Sequence, residues 1–567
     1  MPTNDHRLNT IKNAVFALLF ACAAIFLFWK CRYGFGNWDE SFYLTVPYRL
    51  WMGDGLFGQE WHLSQMAGFL LLPFMAVFML FSGGSTTGII LTFRYFYTAV
   101  QACAALFVYL RLKKISWPGA VVASLLFFLY APFGIMAMSY NSLGILCLTL
   151  SAVLLVTNQK ERPWEYALAG LFFAAAVLCC PYLAAVYFLY SLLAVVNHWI
   201  RFSAHPLLGL RCWLWLTAGI SALAAVFLIF VLGRNSIGTI IKAFPAILND
   251  PEHASRSASY LIKSYFRSVF DRVEGAKGLY LVLAGMLAVR FTDRKGRIPR
   301  AVFFIAGAIV TFLLILPFVT THRYINSIML PLNFFGLFCL GLTANKLART
   351  LFFTGWLPGM LYSFCIHMAS NQYYLAISSA STVSLVFSVV IIFLTLRELM
   401  TGKVLKWFAC AALAGLVILQ TGGLVSLRYD SVFWETSMEA QTEVMEVGPE
   451  KGLLVTPYKK AYYGSYLRDT AAFRQEDKAQ SVLYLSENTW LYLAGEGIEM
   501  CPYSAWLAGV NDNTIQRLII YYDINPHKLP EVIYAEYQYA EFAFRLAAHY
   551  GYQAQLSPTG NLIFTQE

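Results

Sequence analysis

Long apolar runs recur along this chain, and basic residues fall between them in a regular rhythm. Runs of roughly 18 or more apolar residues are what a bilayer span requires. Their repetition points to a bundle of membrane helices. Of the 567 residues, 59% are hydrophobic and only 13% are charged, and the mean hydropathy is +0.58. No soluble fold needs that much apolar surface. The net charge of +10 could suit nucleic acid. The basic residues instead cluster between spans, so topology accounts for them and a nucleic-acid partner is not expected. The 11 cysteines are scattered, mostly in apolar runs, with neither metal spacing nor a disulfide framework. They read as small buried hydrophobes.

The basic clusters allow the spans to be counted. They lie at Arg111/Lys113/Lys114, Lys160/Arg162, Arg201/Arg211, Arg290/Arg294/Lys295/Arg297/Arg300, Lys346/Arg349 and Arg397/Lys403/Lys406. The short connections between them, Met136–Tyr140, Cys180–Tyr182, Thr320–Arg323 and Ala369–Gln372, carry one basic residue, Arg323. This is the positive-inside pattern repeated. It gives thirteen spans, near 11–29, 89–110, 116–135, 141–157, 165–180, 182–200, 211–232, 278–290, 301–319, 324–343, 350–369, 373–396 and 404–425. The N-terminus is then cytosolic and the C-terminus outside. The first apolar stretch follows His6, Arg7 and Lys12 and lacks a convincing small-residue cleavage site, so it reads as an uncleaved anchor. The run Leu19-Phe20-Ala21-Cys22 fits a lipoprotein cleavage box poorly because of Phe20.

The alternation holds only if Met66–Phe81 does not cross. At 16 residues it is short for a span, and Pro73 is expected to break it. It reads as a re-entrant or interfacial helix. A competing reading restores parity by merging two later segments near Cys180-Pro181.

Two long outer loops result. The first, about 30–88, opens with Trp38-Asp39-Glu40. Adjacent carboxylates at the outer mouth of a helical bundle suit a catalytic base or a cation ligand. The plainer reading is that they favour the start of a helix. Ser41–Met52 follows, with Phe42, Tyr43, Val46, Leu50 and Trp51 at helical spacing, as in a helix lying in the interface. Gly53-Asp54-Gly55 then forces a turn, and Gln59–Gln65 contains His62. The second loop, about 233–277, holds Arg234, Lys242, His253, Arg256, Lys263, Arg267 and Arg272 among aromatic residues. It suits anionic headgroups or a lipid-linked phosphate equally well.

Past Leu427 charge rises and apolar runs shorten. Gly452–Thr456, Ser481–Ser486 and Glu531–Tyr534 read as strands. Ser437–Glu446, Lys459–Leu467, Thr514–Tyr521 and Glu541–His549 read as helices. Tyr552–Thr565 reads as a hairpin around Pro558-Thr559-Gly560. The expectation is a polytopic α-helical membrane protein with about 13 transmembrane helices (1–425) and a small extracytoplasmic α/β domain (426–567) that covers or feeds a site in the bundle.

Asn37-Trp38-Asp39-Glu40, the Gly88–Arg94–Lys114 stretch and Thr321-His322-Arg323-Tyr324, set in this architecture, resemble the glycosyltransferase C superfamily over about Ile11–Ala344. The chain looks like bacterial relatives of the protein O-mannosyltransferases and of the lipid A aminoarabinose transferase. Two departures stand out. Leu63-Ser64 follows His62 where many relatives have Pro-Pro, and Tyr140-Asn141 stands where many carry an Asp. The resemblance implies transfer of a sugar from a polyprenyl-phosphate carrier to a cell-envelope acceptor (glycan, lipid or protein) at the outer face of a plasma membrane, bacterial by its carrier and simple anchor. Asp39 is then the general base, with Glu40 orienting it or sharing a divalent cation with it. Arg94, His322 and Arg323 would hold the lipid phosphate. Trp38, His62, Tyr140 and Asn141 would line the substrate site. Plainer roles compete: Arg94 snorkelling to headgroups, His322 and Arg323 ending a span, His62 an ordinary interfacial residue, Asn141 a helix cap.

A transporter or flippase of lipid-linked saccharides is the alternative from another class. It would place ionisable residues near the midplane, whereas here polar groups collect at the outer rim. A non-catalytic envelope protein is the third reading, and it would not require the acidic pair.

Overall fold

The computed structural model describes residues 3–566 except 37, 159, 201–208, 250–255, 272–274, 294, 322–327, 371–373, 400–402, 431–435, 477–480 and 508. Among the described residues, 8 helices are long and apolar enough to cross a membrane: Arg7–Lys30, Ile89–Leu112, Tyr140–Thr157, Pro181–Ile200, Leu210–Leu232, Arg300–Thr320, Thr382–Leu399 and Val404–Asp430. The other five expected spans fall on shorter pieces. Trp117–Leu129 and Leu330–Leu342 have 13 residues each, about 20 Å of helix against a hydrocarbon core of roughly 30 Å. Pro163–Cys179 and Ala276–Thr292 have 17 residues each. A π-helical turn at Phe352–Trp356 interrupts the stretch Lys346–Ala369. A 3-10 turn, Pro181–Leu183, separates Pro163–Cys179 from the next helix.

Tyr140–Thr157 and Thr382–Leu399 are buried along most of their lengths and form the centre of the bundle. A helix that is apolar all round has no face to give to water. Arg7–Lys30 lies at the periphery, with Leu18 and Ile25 exposed.

In the first loop, α1 (Thr3–Lys30) leads to α2 (Asp39–Trp51) and α3 (Met66–Phe81), then to α4 (Ile89–Leu112). Two expectations change here. Helix α2 does not lie in the lipid interface: every residue from Glu40 to Leu50 is buried. The C-terminal domain covers the side that lipid was expected to cover. Pro73 does not break α3, which is one helix of 16 residues with the proline inside it. Gly68 lets α3 press on α2, since a Cβ there would lie 2.5 Å from Val46. In the second loop, Ile237–Leu248 and Ala258–Phe270 are helices. Each exposes a row of large apolar side chains, such as Ile237, Ile241 and Phe244, and Tyr260, Ile262 and Phe266. That is the form of interfacial helices.

The C-terminal part holds β1 (Glu443–Val444), β2 (Leu454–Val455), β3 (Ser481–Leu485), β4 (Glu499–Met500), β5 (Val532–Ala535), β6 (Gln553–Leu556) and β7 (Leu562–Thr565). β3 to β7 form one sheet in the order β4-β3-β5-β7-β6. β3 runs parallel to β4 and β5, and β6–β7 is an antiparallel hairpin. Its turn is pinned by the buried Asp469, which accepts from the Thr559 N–H at 3.1 Å, from Asn561 Nδ2 at 3.1 Å and from the Tyr534 hydroxyl at 2.9 Å. Helices Pro457–Glu476, Asp512–Ile524 and Ala540–Tyr550 accompany the sheet. The helix expected over Ser437–Glu446 is instead a 3-10 turn, Met438–Ala440, followed by β1 paired to β2. Tertiary pairing overrides local pattern there, because the neighbouring 448–454 segment docks on the first loop. Leu454 exchanges backbone hydrogen bonds with Arg32 and Gly34, and the N–H groups of Gly88 and Ile90 donate to Gly448 and Pro449.

Candidate active site

Helix α2 starts at the acidic pair. Trp38 is its N-cap residue and makes no side-chain cap bond. The two carboxylates that follow have opposite fates. Glu40 is 2% exposed. Arg94 grips it in a bidentate pair, Nε to Oε1 at 2.5 Å and Nη2 to Oε2 at 2.6 Å. The same guanidinium donates to the carbonyls of Cys31 at 2.7 Å, Tyr33 at 3.1 Å and Gly34 at 2.8 Å. Arginine has five N–H donors, and these contacts use them all. Arg94 therefore ties the chain leaving α1 to the start of α2, where the sequence reading expected it at the lipid phosphate.

Asp39 is half-buried. Burial pushes its carboxyl up to about 6, with no charge or hydrogen bond offsetting the loss of water. One helical turn on, Tyr43 lies within electrostatic reach of it. The Tyr43 hydroxyl is hydrogen-bonded to Tyr140 and Asn141, and its ring meets that of Tyr140 edge-on, with centroids 5.6 Å apart. Burial raises the Tyr43 phenol well above its ordinary range, so it stays protonated. Asn141 does not cap its helix. Ser139 does, in a reciprocal capping arrangement with Ser142, which leaves Asn141 turned to Tyr43. A carboxylate, two phenols and an amide from two distant segments thus share one corner.

The other expected residues lie around it. The His62 ring packs on Phe42 with centroids 4.6 Å apart, and its Nδ1 accepts from the Ser64 N–H at 3.1 Å. It thus packs on the neighbour of Tyr43. Trp38 is 41% exposed, and its carbonyl accepts from Thr489 Oγ1 at 3.0 Å. Thr489 also bonds Ser41. Trp506 meets Phe42 edge-on at 6.0 Å. His322 and Arg323 lie outside the described residues, as does Asn37.

The donor set for a cation shared by Glu40 and Asp39 is thin. Both Glu40 oxygens are held by Arg94, and among the described residues no three His, Cys, Asp or Glu side chains cluster to hold a metal. The chemistry below is therefore carried through no metal.

Sequence reasoning did not find Tyr43, Thr489 or Trp506 as site residues. Tyr43 carried one usable signal, its place one turn beyond Asp39. The C-terminal residues carried none, since they arrive from more than 400 positions away.

A second set of charges fixes the same loop to the C-terminal domain. Arg49 of α2 pairs with Asp54, with Glu60 at 3.1 Å and with the Tyr521 hydroxyl at 2.9 Å. Lys528 reaches Asp54 and Glu499, each at 2.5 Å. Burial opposes the charge on Asp54, but Arg49 and Lys528 outweigh it and hold the carboxyl below its usual range. Arg234 from the second loop donates to the Leu50 and Asp54 carbonyls, a role at the end of α2 rather than at a phosphate.

No family model matches the chain, and no curated protein matches it. Among solved structures it resembles the archaeal oligosaccharyltransferase AglB from Archaeoglobus fulgidus, in a complex with an inhibitory peptide and a dolichol-phosphate. The TM-score is 0.44 and the identity 12%, over 98% of this chain and 74% of that one.

Proposed function

We propose that this protein is a membrane-embedded glycosyltransferase that moves a sugar from a polyprenyl-phosphate carrier to an acceptor outside the membrane. The observation that carries the proposal is the half-buried Asp39 carboxylate, raised to about 6, standing in a corner of hydroxyl and amide groups while its neighbour Glu40 is neutralised. A base with a pKa near the working pH removes a proton most effectively. In this reading Asp39 takes the proton of the acceptor nucleophile as that atom attacks the anomeric carbon. The bond between that carbon and the phosphate oxygen breaks, and the lipid phosphate leaves with the electron pair. Tyr43, Tyr140 and Asn141 orient the reactants by hydrogen bonds, and Trp38 and His62 flank them. His322 and Arg323 are proposed to meet the developing negative charge of the leaving phosphate. The proposed setting is a plasma membrane, bacterial inner membrane by preference, with the N-terminus cytosolic and the C-terminal domain outside.

The test is sugar transfer by purified Asp39→Asn from a synthetic polyprenyl-phosphate sugar. Turnover should fall by about 100-fold, the scale of a general base, with the protein still inserted and folded. Turnover near that of wild type would remove Asp39 from the mechanism.

A further inference from the structure

The ends of α1 and of Lys403–Asp430 meet beside the candidate site, and an arginine and a lysine are buried there. Arg428 is 3% exposed and Lys30 is 4% exposed. The Arg428 guanidinium makes one hydrogen bond, from Nη1 to the Gly134 carbonyl at 3.4 Å. Its Nε is buried without a partner, and among the described residues it has no ion pair. Lys30 donates to the Tyr429 carbonyl at 3.2 Å and lies within electrostatic reach of Arg428, Arg94 and Asp430. Arg94 is already neutralised by Glu40. Asp430 accepts from Ser426 Oγ at 3.0 Å. Among the described residues, the Arg428 guanidinium is therefore buried with no carboxylate paired to it.

A guanidinium taken out of water without a counter-ion is strongly disfavoured, and arginine cannot escape by losing its proton. Such a group is explained by a ligand that brings the missing charge. The surroundings say what kind. In front of these two residues stand Trp29 and Tyr429, 42% and 43% exposed, with ring centroids 6.3 Å apart. Phe28 and Val425 are exposed beside them. Aromatic residues at the end of a membrane helix mark headgroup depth. An apolar lip at that depth, with an arginine and a lysine behind it, fits an anionic headgroup carried on a hydrocarbon chain.

We infer that this seam binds the phosphate of a polyprenyl phosphate. Arg428 and Lys30 hold the phosphate, and the chain lies along Phe28, Trp29, Val425 and Tyr429. Arginine suits the task because its planar fork can donate two parallel hydrogen bonds to phosphate oxygens. The inference rests on the lipid-linked donor reading above and adds residues that reading did not contain. It also fits the layout of the site. Arg428 lies within electrostatic reach of Arg94, whose partner Glu40 adjoins Asp39. The Gly134 carbonyl that Arg428 holds belongs to the segment leading into Tyr140-Asn141. Base and leaving phosphate would then stand on either side of Arg94.

The test uses the full chain in nanodiscs of zwitterionic lipid. Polyprenyl monophosphate is titrated, and binding is read from the rise in unfolding temperature. Arg428→Met should bind about ten- to a hundred-fold more weakly, as expected for losing charge-assisted hydrogen bonds. Ligand-free Arg428→Met should melt no lower than wild type, because the change removes an unpaired buried charge. A lower melting temperature with unchanged affinity would make Arg428 structural and overturn the proposal. Should Arg428→Met fail to fold, Arg428→Lys and Lys30→Met carry the test, and wild-type affinity in both overturns it. Inorganic phosphate binding as tightly as the lipid would overturn the lipid assignment. Phosphatidylglycerol competing on equal terms would overturn its link to a sugar donor. Wild type that binds no polyprenyl phosphate overturns the lipid-linked reading itself, whereas binding that survives Arg428→Met unchanged overturns the seam alone.

Discussion

The first long loop buries charge in two ways, and they lead to different chemistry. Around Arg49 the charges close on each other: one guanidinium, two carboxylates, a phenol and Lys528 leave little unsatisfied. At the start of the same helix, Asp39 loses water and receives no cation in return. A closed network fixes one geometry and has nothing left to react. A lone half-buried carboxylate is destabilised as an anion, and that makes it a better base. The Arg94–Glu40 pair belongs to the first kind although it adjoins the second. The lesson is that adjacency in sequence does not make two carboxylates a dyad.

The sharpest way to break this comparison is to open the closed network. Arg49→Ala leaves Asp54 and Glu60 buried with their main partner gone, and should cost roughly 3–5 kcal/mol of stability. Thermal unfolding of the purified protein measures it. A negligible shift would mean that the C-terminal domain does not depend on this clamp.

The opposite substitution should behave oppositely. Asp39→Asn removes a charge that burial disfavours, so at pH 7.5 its melting temperature should equal or exceed that of wild type while turnover collapses. The pH profile follows from the same shift. The folded carboxyl titrates at about 6, above its ordinary 3.8, so the base form is lost below pH 6. Activity of wild type should fall about tenfold per unit on that side and level off above it. Stability runs the other way: what the protonated form contributes is complete below about pH 4 and is lost as pH rises through 6. A profile flat across pH 5–7 would break the assignment.

Tyr43→Phe sharpens the comparison at smaller scale. It deletes the hydroxyl that joins Tyr140 and Asn141, a hydrogen-bond loss of about 1 kcal/mol. Turnover should drop several-fold without the pH profile moving, because the base is untouched. A shifted inflection would show that Tyr43 shares the proton.

The smallest effect at neutral pH is expected at Glu450, another lone carboxylate. It is 0% exposed, neither oxygen has a hydrogen-bond partner among the described residues, and burial raises it to about 8. It is therefore protonated at pH 7, and the stability this gives is lost as pH rises through 8. The melting temperature of wild type should fall above pH 8, while that of Glu450→Gln should not. Parallel curves would mean that Glu450 is already ionised.

Much of this molecule was legible in its sequence. Repeated apolar runs dictated membrane helices, because a bilayer core offers the backbone no water to bond. The short runs past Leu427 dictated strands β3 and β5 and the β6–β7 hairpin, because alternating strand and helix signals are local. The acidic pair could be singled out as a candidate for the same reason. What the sequence could not decide was which carboxylate would be free. Arg94 stands 54 positions from Glu40, and nothing local tells whether that guanidinium faces a lipid phosphate or a protein carboxylate. Nor could hydropathy tell that α2 lies under protein rather than lipid, since both covers reward the same apolar residues. Only the tertiary structure brought Tyr140 and Asn141 to Tyr43 and set Thr489 on Trp38, because those contacts depend on how distant segments pack and not on the residues beside them.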